Sequence, residues 1–400
     1  MADTAPSPLQ ALTGRVQLRP AAGLPAVHNS RPALAERLAP GRTADELPRL
    51  LASLFTLCAH AHRSCAEQAI AAARGVVTPA SPASAQALQL GTLRDQVLRI
   101  SHDWPRQLHL RDNTTHSAVL LRSCPLWRDD LSPDERLAEL PAWLAHHWLG
   151  ESIDHWLARH EADPTGAAAA WAIAHRGTSA VALLLRRLLA EPISPMALPI
   201  PGHSLNILQQ PGELPALAHQ MAHTPGFCSQ PDWHNTPAST GPWSRVNDPL
   251  PAPDTATRAW HLLVARIVDV LRLSGPQGAT WLSHGALPLP DHEGLAWCEM
   301  ARGLLLHWVK LTPDGQRIEA YRVLAPTEWN FHAEGPLALA LARLDADRPR
   351  DELLAASRCL AVAFDPCVDF EVHLPDTAPM SPPGRPKGEY RRAKLEGTFQ

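Results

Sequence analysis

The apolar positions of this chain recur mainly at the intervals of a helix. Around Pro48, steps of three and four place six side chains on one helical face: Leu47, Leu51, Leu54, Cys58, Ala61 and Cys65. Thr43 and Glu46 have the spacing of a capping box, and Pro48 favours a start with proline in the first helical turn. Apolar spacing predicts further helices over residues 84–100, 167–189, 256–273, 336–344 and 351–361. The fold class predicted from this pattern is mainly α, with a helical core.

Strand-like alternation of apolar and polar residues occurs over His307–Leu311 and Arg317–Leu324, around Pro313-Asp314-Gly315. This pattern predicts a small β-hairpin near residues 307–324, so the class becomes α+β. Residues 192–256 are dense in Pro, Gly, His and Ser, which favours a long ordered loop or insertion rather than a core element. We therefore expect one large domain over residues 1–374, although the length also allows two tightly packed domains. A flexible basic tail is expected over residues 375–400.

Composition narrows the classes of function. Apolar residues make up 45% of the 400 residues and charged residues 19%, as in a soluble globular protein. The formal net charge of -4 argues against a nucleic-acid partner. Seven scattered cysteines do not resemble a secreted disulfide framework, so we expect reduced thiols. We find neither a leader-like N-terminus nor an apolar run long enough for membrane insertion, and we expect a cytoplasmic protein.

One motif near the end carries specific chemistry. Asp365-Pro366-Cys367-Val368-Asp369-Phe370-Glu371-Val372-His373 resembles the C-terminal metal-binding signature of nickel-iron hydrogenase large subunits, Asp-Pro-Cys-x-x-Cys-x-x-His. Phe370 stands in place of the second cysteine. The segment from Thr56 to Cys65 resembles the first metal segment of that family, Arg-x-Cys-Gly-x-Cys-x-x-x-His. It keeps Cys58, but Ala61 replaces the second cysteine and Cys65 replaces the histidine.

Three further strings follow in the family's order, so the resemblance spans most of residues 41–373. Ser239–Arg245 is similar to Glu-Thr-Gly-Pro-Leu-Ala-Arg, without its glutamate. Glu299–Gly303, followed by His307-Trp308, resembles Glu-Ala-Pro-Arg-Gly followed by Gly-His-Trp. Pro326–Asn330 resembles Pro-Thr-Thr-Trp-Asn. The resemblance implies the fold of a hydrogenase large subunit.

The substitutions change what that fold is expected to do. By position, Cys58 and Cys367 match the terminal nickel ligands of the family, whereas Ala61 and Phe370 occupy the positions of the bridging thiolates. Neither an alanine nor a phenylalanine side chain can ligate a metal. The standard two-metal cluster therefore cannot be assembled by its standard ligands. Hydrogenase activity is not expected, nickel binding is doubtful, and no residue is assigned a catalytic role.

A looser metal site remains a hypothesis. On one continuous helix, Cys58, His62 and Cys65 would share a face, and the resemblance would bring Cys367 alongside them. His373 closes the motif in the family through a structural metal. The alternative for each of Cys58, Cys65, His62 and His373 is ordinary packing or solvation, and Cys367 has the strongest motif context.

Two charged residues are candidate cofactor contacts. Arg302 matches the arginine that lies over the diatomic ligands of iron in the family, and its donors could receive cyanide nitrogens. Asp365 could orient that guanidinium through a charge-assisted pair. Structural ion pairing is the alternative for Arg302.

Large-subunit-like proteins with incomplete cysteine sets include the hydrogenase expression and formation proteins of the HupK or HoxV type, which this chain resembles. That resemblance implies a non-catalytic scaffold that transiently holds iron carrying cyanide and carbon monoxide. Its partners would be small maturation chaperones and the hydrogenase large-subunit precursor. The alternatives are a divergent metal-dependent redox enzyme and a metal-free large-subunit mimic that binds chaperones. Because nickel ligation is impaired, we expect residues 374–400 to stay attached.

Overall fold

The computed structural model describes residues 14–76, 81–109, 113–175, 179–191, 193, 196–200, 203–210, 212–245, 248–249 and 257–375. The predicted tail, apart from Pro375, lies outside the described residues. Within these ranges, no helix combines the length and the apolar composition needed to cross a bilayer.

Helices form most of the described fold. They are α1 (Leu34–Leu38), α2 (Leu47–Leu54), α3 (Ala59–Ala73), α4 (Pro82–Leu98), α5 (Trp104–Gln107), α6 (Asn113–Ser123), α7 (Pro133–Leu144), α8 (Ile153–Ala162), α9 (Ala167–Ala174), α10 (Ala180–Ala190), α11 (Glu213–His223), α12 (Ala259–Leu273), α13 (Pro326–Asn330), α14 (Pro336–Ala342) and α15 (Arg350–Phe364). Short 3-10 turns cover Thr56–Cys58, Pro125–Trp127, Ile207–Gln209, Phe227–Ser229 and Gly278–Thr280, and π-helical turns cover Arg99–Asp103 and Ala145–Leu149.

Local sequence explains several helix starts. Ser81 accepts a hydrogen bond from the Ser84 backbone N–H and precedes Pro82, so α4 begins with a serine cap and proline in its first turn. Ser132 and Glu135 form a complete capping box at the start of α7. Pro48 lies in the first turn of α2 as predicted, but Thr43 and Glu46 do not form the suggested box, because the residue that caps α2 is Glu46 itself and its side chain makes no capping bond.

Two predicted helices are each divided in two. The helix predicted from Leu47 to Cys65 is interrupted at Phe55, whose backbone angles are not helical, so it forms α2 and α3 instead. The Phe55 ring stacks on His62. The helix predicted over residues 167–189 consists of α9 and α10, because Ser179 starts α10 by accepting a hydrogen bond from the Ala182 backbone N–H. Periodicity alone could not find either break, since both halves of each pair bury apolar faces.

The strands of the described residues form four sheets. They are β1 (Val16–Leu18), β2 (Val27–Asn29), β3 (Asp232–Trp233), β4 (Thr236–Pro237), β5 (Ser244–Arg245), β6 (Asp248–Pro249), β7 (His284–Leu289), β8 (Glu293–Met300), β9 (Gly303–Leu311), β10 (Ile318–Leu324) and β11 (Phe370–Val372). The predicted hairpin is β9 with β10, within an antiparallel sheet ordered β10-β9-β8-β7. A second sheet, ordered β11-β1-β2, pairs β1 with β11 in parallel.

Both faces of the larger sheet are covered, which explains why β8 was not predicted. Ala296 and Cys298 belong to the main core, into which α3 packs, whereas Leu295 belongs to a second apolar cluster. With both faces buried, β8 lacks the alternation expected of a strand with one wet face.

The second cluster corrects the expectation for residues 192–256. That segment was expected to stay outside the core, yet its helix α11 buries Leu217 and Met221 in the same cluster as Leu304 and Trp329. Helix α11 therefore covers one face of the sheet. Helix spacing within α11 was hidden by the abundance of Pro, Gly, His and Ser around it.

Candidate functional site

Cys367 lies just beyond the end of α15. Asp365 ends that helix in the left-handed conformation, with φ 54°, and Pro366 cannot continue it. The chain therefore turns sharply before Cys367 and enters β11 three residues later. The Cys367 thiol is partly buried and lies 2.9 Å from Oγ1 of Thr327 on α13. This bond joins two segments that the sequence motifs had singled out separately.

Cys58 lies at the end of the 3-10 turn between α2 and α3, where it is also partly buried. Burial raises the pKa of the Cys58 thiol well above its usual range, and the nearby thiol of Cys367 raises it further. The guanidiniums of Arg302 and Arg31 act in the opposite direction by favouring the thiolate of Cys58. The structure thus brings Cys58 and Cys367 together beside two positive charges.

Arg302 is positioned by a hairpin turn. It occupies the two-residue connection between Met300 at the end of β8 and Gly303 at the start of β9. Its guanidinium is buried and donates to both oxygens of Asp95 on α4, at 2.5 and 3.2 Å. Asp365 is a weaker partner, since its Oδ2 lies 3.4 Å from Nε of Arg302. The expected ion pair between Asp365 and Arg302 is present, and Asp95, which the sequence did not suggest, adds the bidentate hydrogen bonds.

Asp365 is held by other donors. Its Oδ1 accepts two hydrogen bonds from Arg99, at 2.8 and 2.6 Å, and one from the indole of Trp104 at 3.1 Å. Arg266 Nη1 lies 3.7 Å from Oδ2. Burial by itself would raise the pKa of Asp365, but the guanidiniums of Arg99, Arg302 and Arg266 outweigh it and hold that pKa well below its usual range. Asp365 is therefore a buried anion.

The other segments that resemble the hydrogenase family, those containing Thr240, Gly303 and Asn330, contact one another. Thr240 and Asn330 exchange two 2.8 Å hydrogen bonds between backbone and side chain, and Thr240 Oγ1 accepts from the Leu304 backbone N–H. Gly303 sits against Thr240 with φ 131°, and a Cβ there would lie 2.6 Å from Oγ1 of Thr240. Glycine is required by both the conformation and the space. These contacts fix the turn that presents Arg302.

Arg31 follows β2 and reaches the site from the N-terminal part of the chain. Its Nη1 donates to Glu328 Oε1 at 2.5 Å, and the two side chains are 12% and 13% exposed. Burial would lower the pKa of Arg31, but the charges of Cys367, Glu328 and Cys58 outweigh it and raise that pKa. The Arg31–Glu328 pair also lines a cavity of about 50 Å³, together with Phe55 and His62. One water needs about 10–15 Å³, so the cavity has room for a few small molecules.

The other predicted ligands of the first segment make contacts of their own. His62 is buried, and its Nδ1 lies 3.0 Å from Nε2 of His307, whose Nδ1 lies 2.6 Å from the Tyr321 hydroxyl. Burial lowers the pKa of His307 to about 3, so this ring is neutral. Cys65 is buried against the sheet, with its thiol 3.9 Å from the Leu305 carbonyl. The face that Cys58, His62 and Cys65 were expected to share is therefore not formed.

His373 and Phe370 lie on the small sheet. His373 is half-exposed, with Nε2 3.5 Å from Oε2 of Glu371 and its backbone N–H bonded to the Leu18 carbonyl. Phe370 is paired with Val16 in the β11–β1 ladder. Among the described residues, no group of three or more His, Cys, Asp or Glu side chains is arranged to hold a metal ion.

Sequence reasoning missed four of the charged residues that shape the site: Asp95, Arg99, Arg266 and Arg31. A signal existed for the first two. Gln89, Thr92, Asp95, Gln96 and Arg99 form a polar stripe at helical spacing, and all five are buried on α4 and the π-helical turn that follows. Such a stripe on a helix of a large domain indicates buried partners. No comparable pattern marked Arg31 or Arg266.

This arrangement can hold a soft metal through two thiolates and can offer guanidinium donors to anions beside it. Thiolates suit low-valent iron, and arginine donates to acceptors in a fixed planar geometry. The two sulfurs supply only part of a coordination shell, so a bound metal would need further ligands of its own.

Known proteins with similar sequences support the resemblance. Residues 256–373 match the family of nickel-dependent hydrogenases. The chain is 36% identical over 386 residues to the hydrogenase expression/formation protein HoxV of Cupriavidus necator. This alignment covers 92% of the present chain and 97% of HoxV. It is 32% identical over 359 residues to the hydrogenase expression/formation protein HupK of Bradyrhizobium diazoefficiens, with 86% and 90% covered.

Solved structures confirm the expected fold. The Ni-Fe-Se hydrogenase from D. vulgaris Hildenborough in the reduced state has a TM-score of 0.51 and 14% identity, covering 85% of this chain and 92% of that chain. An NAD+-reducing NiFe hydrogenase in the H2-reduced state has a TM-score of 0.50 and 17% identity, covering 85% and 91%. At these identities the similarity concerns the fold alone, which is that of a hydrogenase large subunit.

Proposed function

The chain belongs to the hydrogenase expression/formation proteins of the HoxV and HupK type, and we propose that within hydrogenase maturation it is a non-catalytic scaffold. Its cargo in this proposal is an iron that carries cyanide and carbon monoxide, held before transfer to the large subunit. The observation that carries the proposal is the juxtaposition of Cys58 and Cys367 beside Arg302 and Arg31.

The chemistry of the four groups supports this cargo. Two thiolates are soft ligands for low-valent iron, and guanidiniums donate hydrogen bonds to the nitrogen of cyanide. Metal binding requires both thiols to lose their protons, and the positive charges of Arg302 and Arg31 favour that loss at Cys58. Ala61 and Phe370 add no ligand at the two bridging positions. Iron held by only two protein sulfurs is bound incompletely, which suits release.

Transfer also requires access. Cys58 and Cys367 are both partly exposed, in contrast with the buried Cys65. Leu57, directly before Cys58, is 45% exposed. We propose that the partners docking here are small maturation chaperones and the hydrogenase large-subunit precursor, since each would have to reach the two sulfurs.

Infrared spectroscopy tests the proposal directly. Protein purified without oxygen, after co-production with the hydrogenase maturation proteins, should show the stretching bands of cyanide and carbon monoxide. Replacing Cys58 or Cys367 with Ala should abolish these bands. Cys65→Ala is the matched control, because it removes a thiol of the same segment that faces the sheet, and it should retain them. If the unaltered protein never shows the bands, the cargo role is wrong.

A further inference from the structure

The peptide group that joins Pro366 to Cys367 has contacts on both of its sides. Its carbonyl, that of Pro366, accepts a hydrogen bond from Arg99 Nη2 at 3.2 Å. Its N–H, that of Cys367, donates to Oγ1 of Thr327 at 3.5 Å, and the same oxygen lies 2.9 Å from the Cys367 sulfur. Because a peptide group is planar, contacts on its two sides fix its orientation. Arg99 and Thr327 together therefore fix the backbone that carries the Cys367 thiol.

All three nitrogens of the Arg99 guanidinium have partners. Nε and Nη2 donate to Oδ1 of Asp365 at 2.8 and 2.6 Å, and Nη1 donates to Asp103 at 3.0 Å. Arg99 and Asp365 are both buried. Since the guanidinium is planar and two carboxylates hold it, the direction of its Nη2 donor towards the Pro366 carbonyl is fixed as well.

The backbone around Arg99 supplies this geometry. Arg99–Asp103 form a π-helical turn, in which the Trp104 backbone N–H donates to the Arg99 carbonyl five residues earlier. Arg99 and Trp104 both reach Oδ1 of Asp365 from this turn. Single π-helical turns are frequent at functional sites. Here the turn directs two donors at the residue that lies two positions before Cys367.

We propose that Arg99 is a positioning residue for Cys367, which fixes the backbone of this residue so that its sulfur occupies one place when iron is bound. An ion pair with Asp365 alone would not require the bond to the Pro366 carbonyl, which acts directly on the peptide group of Cys367. The inference rests on the proposed function, since it assigns to Arg99 the placement of a thiol that serves as a ligand.

Alkylation of the reduced protein, produced without the hydrogenase maturation proteins, tests this role. The folded protein would be treated with iodoacetamide for increasing times, and mass spectrometry of its peptides would give the rate at each cysteine. Arg99→Met should raise the rate at Cys367 at least about threefold, because the peptide group loses its hydrogen bond from a charged donor. The rate at Cys359, which is buried on α15 itself, should not change.

Two further variants separate positioning from ion pairing. Asp103→Asn alters another partner of Arg99 but leaves the bond to Pro366 in place, so the rate at Cys367 should stay the same. Arg99→Met with Asp365→Asn removes the buried pair as a unit, which keeps the net charge of the cluster and guards against misfolding of the single variant. This double variant should also raise the rate at Cys367.

An unchanged rate at Cys367 in both variants that lack Arg99 would overturn the proposal. An equal increase at Cys359 would overturn it too, because it would show a general loss of stability rather than the release of one turn.

The result is separable from the cargo test. A faster reaction confined to Cys367 supports the role of Arg99 even if infrared bands are never found, in which case only the cargo role fails. Where bands are found, Arg99→Met should shift or broaden them, because iron on a less ordered sulfur adopts more than one geometry. Bands in the unaltered protein with an unchanged Cys367 rate in Arg99→Met would instead support the cargo role and remove Arg99 from it.

Discussion

Replacing Asp365 with Asn removes one buried charge with little change in shape. Asn tolerates the left-handed conformation that Asp365 adopts at φ 54°, so the variant adds no backbone strain. Its amide oxygen can still accept from Arg99 and Trp104, but its NH2 group would face Arg302 and Arg266, where Oδ2 now lies 3.4 and 3.7 Å from their nitrogens. Breaking one side of a buried ion pair costs about 3–5 kcal/mol. We expect Asp365→Asn to lower the free energy of unfolding by that amount, a large part of the ~5–15 kcal/mol typical of a folded protein.

Urea unfolding followed by tryptophan fluorescence would measure this change. Asp103→Asn is the matched control, because Asp103 also accepts from Arg99, at 3.0 Å, but its side chain is 22% exposed. It should cost less than about 1 kcal/mol. The reasoning is refuted if the two variants lose similar stability.

The same variant predicts a dependence on pH with a defined sign. The folded-state pKa of Asp365 is lowered, so its stabilisation is fully present above the unfolded value of about 4 and is lost as the pH falls further. The difference in unfolding free energy between the unaltered protein and Asp365→Asn should therefore be constant from pH 5 to 8 and should shrink below about pH 4. A difference that grows on acidification would contradict this account.

Two further predictions follow from other parts of the structure, and a third follows from the sequence. The pKa of His307 is about 3 in the folded protein, below the value of about 6.5 expected in the unfolded chain, so the free energy of unfolding falls as the pH drops from 6.5 towards 3. His307→Gln should reduce this dependence of the unfolding free energy on pH by up to about 1.4 kcal/mol per pH unit. Urea titrations at several pH values would measure it. Gly303→Ala should cost about 1–3 kcal/mol because its Cβ would meet Thr240, and Gly315→Ala, which also has positive φ but no backbone close by, should cost less in the same assay. Intact mass of protein co-produced with the maturation proteases should show residues 374–400 retained, and their loss would show that processing does not require the two bridging cysteines.

Helix spacing predicted α4, α12, α14 and α15, whose apolar faces pack on the main core, but it predicted none of α5 to α8. It joined α2 to α3 across Phe55, because a single non-helical residue scarcely changes the apolar period. It missed β8, whose two buried faces remove the alternation of a typical strand. In both cases tertiary packing determined the backbone conformation, and the local sequence pattern could not predict it.

The sequence identified the candidate site residues that lie in motifs shared with the hydrogenase family. Cys58 and Cys367 were expected together, and the Cys367 thiol is near enough to raise the pKa of Cys58. Cys65 and His62 were expected beside them from a helical wheel, which fails because Cys58 belongs to the 3-10 turn and not to α3. The ion pairs with Asp95 and Arg31 depend on contacts more than 200 residues apart in sequence, which no short-range pattern encodes.

Retention of the Asp-Pro-Cys motif has two separable explanations. Asp365 ends α15 and forms ion pairs with the guanidiniums of Arg99, Arg302 and Arg266, so stability alone accounts for it. Cys367 takes no part in those ion pairs, and its contact with Thr327 could be made by serine or threonine at similar cost. A soft sulfur is required there only if a metal binds. Cys367→Ser should therefore leave the unfolding free energy within about 1 kcal/mol while abolishing the infrared bands, whereas equal loss of stability and cargo would assign Cys367 to packing.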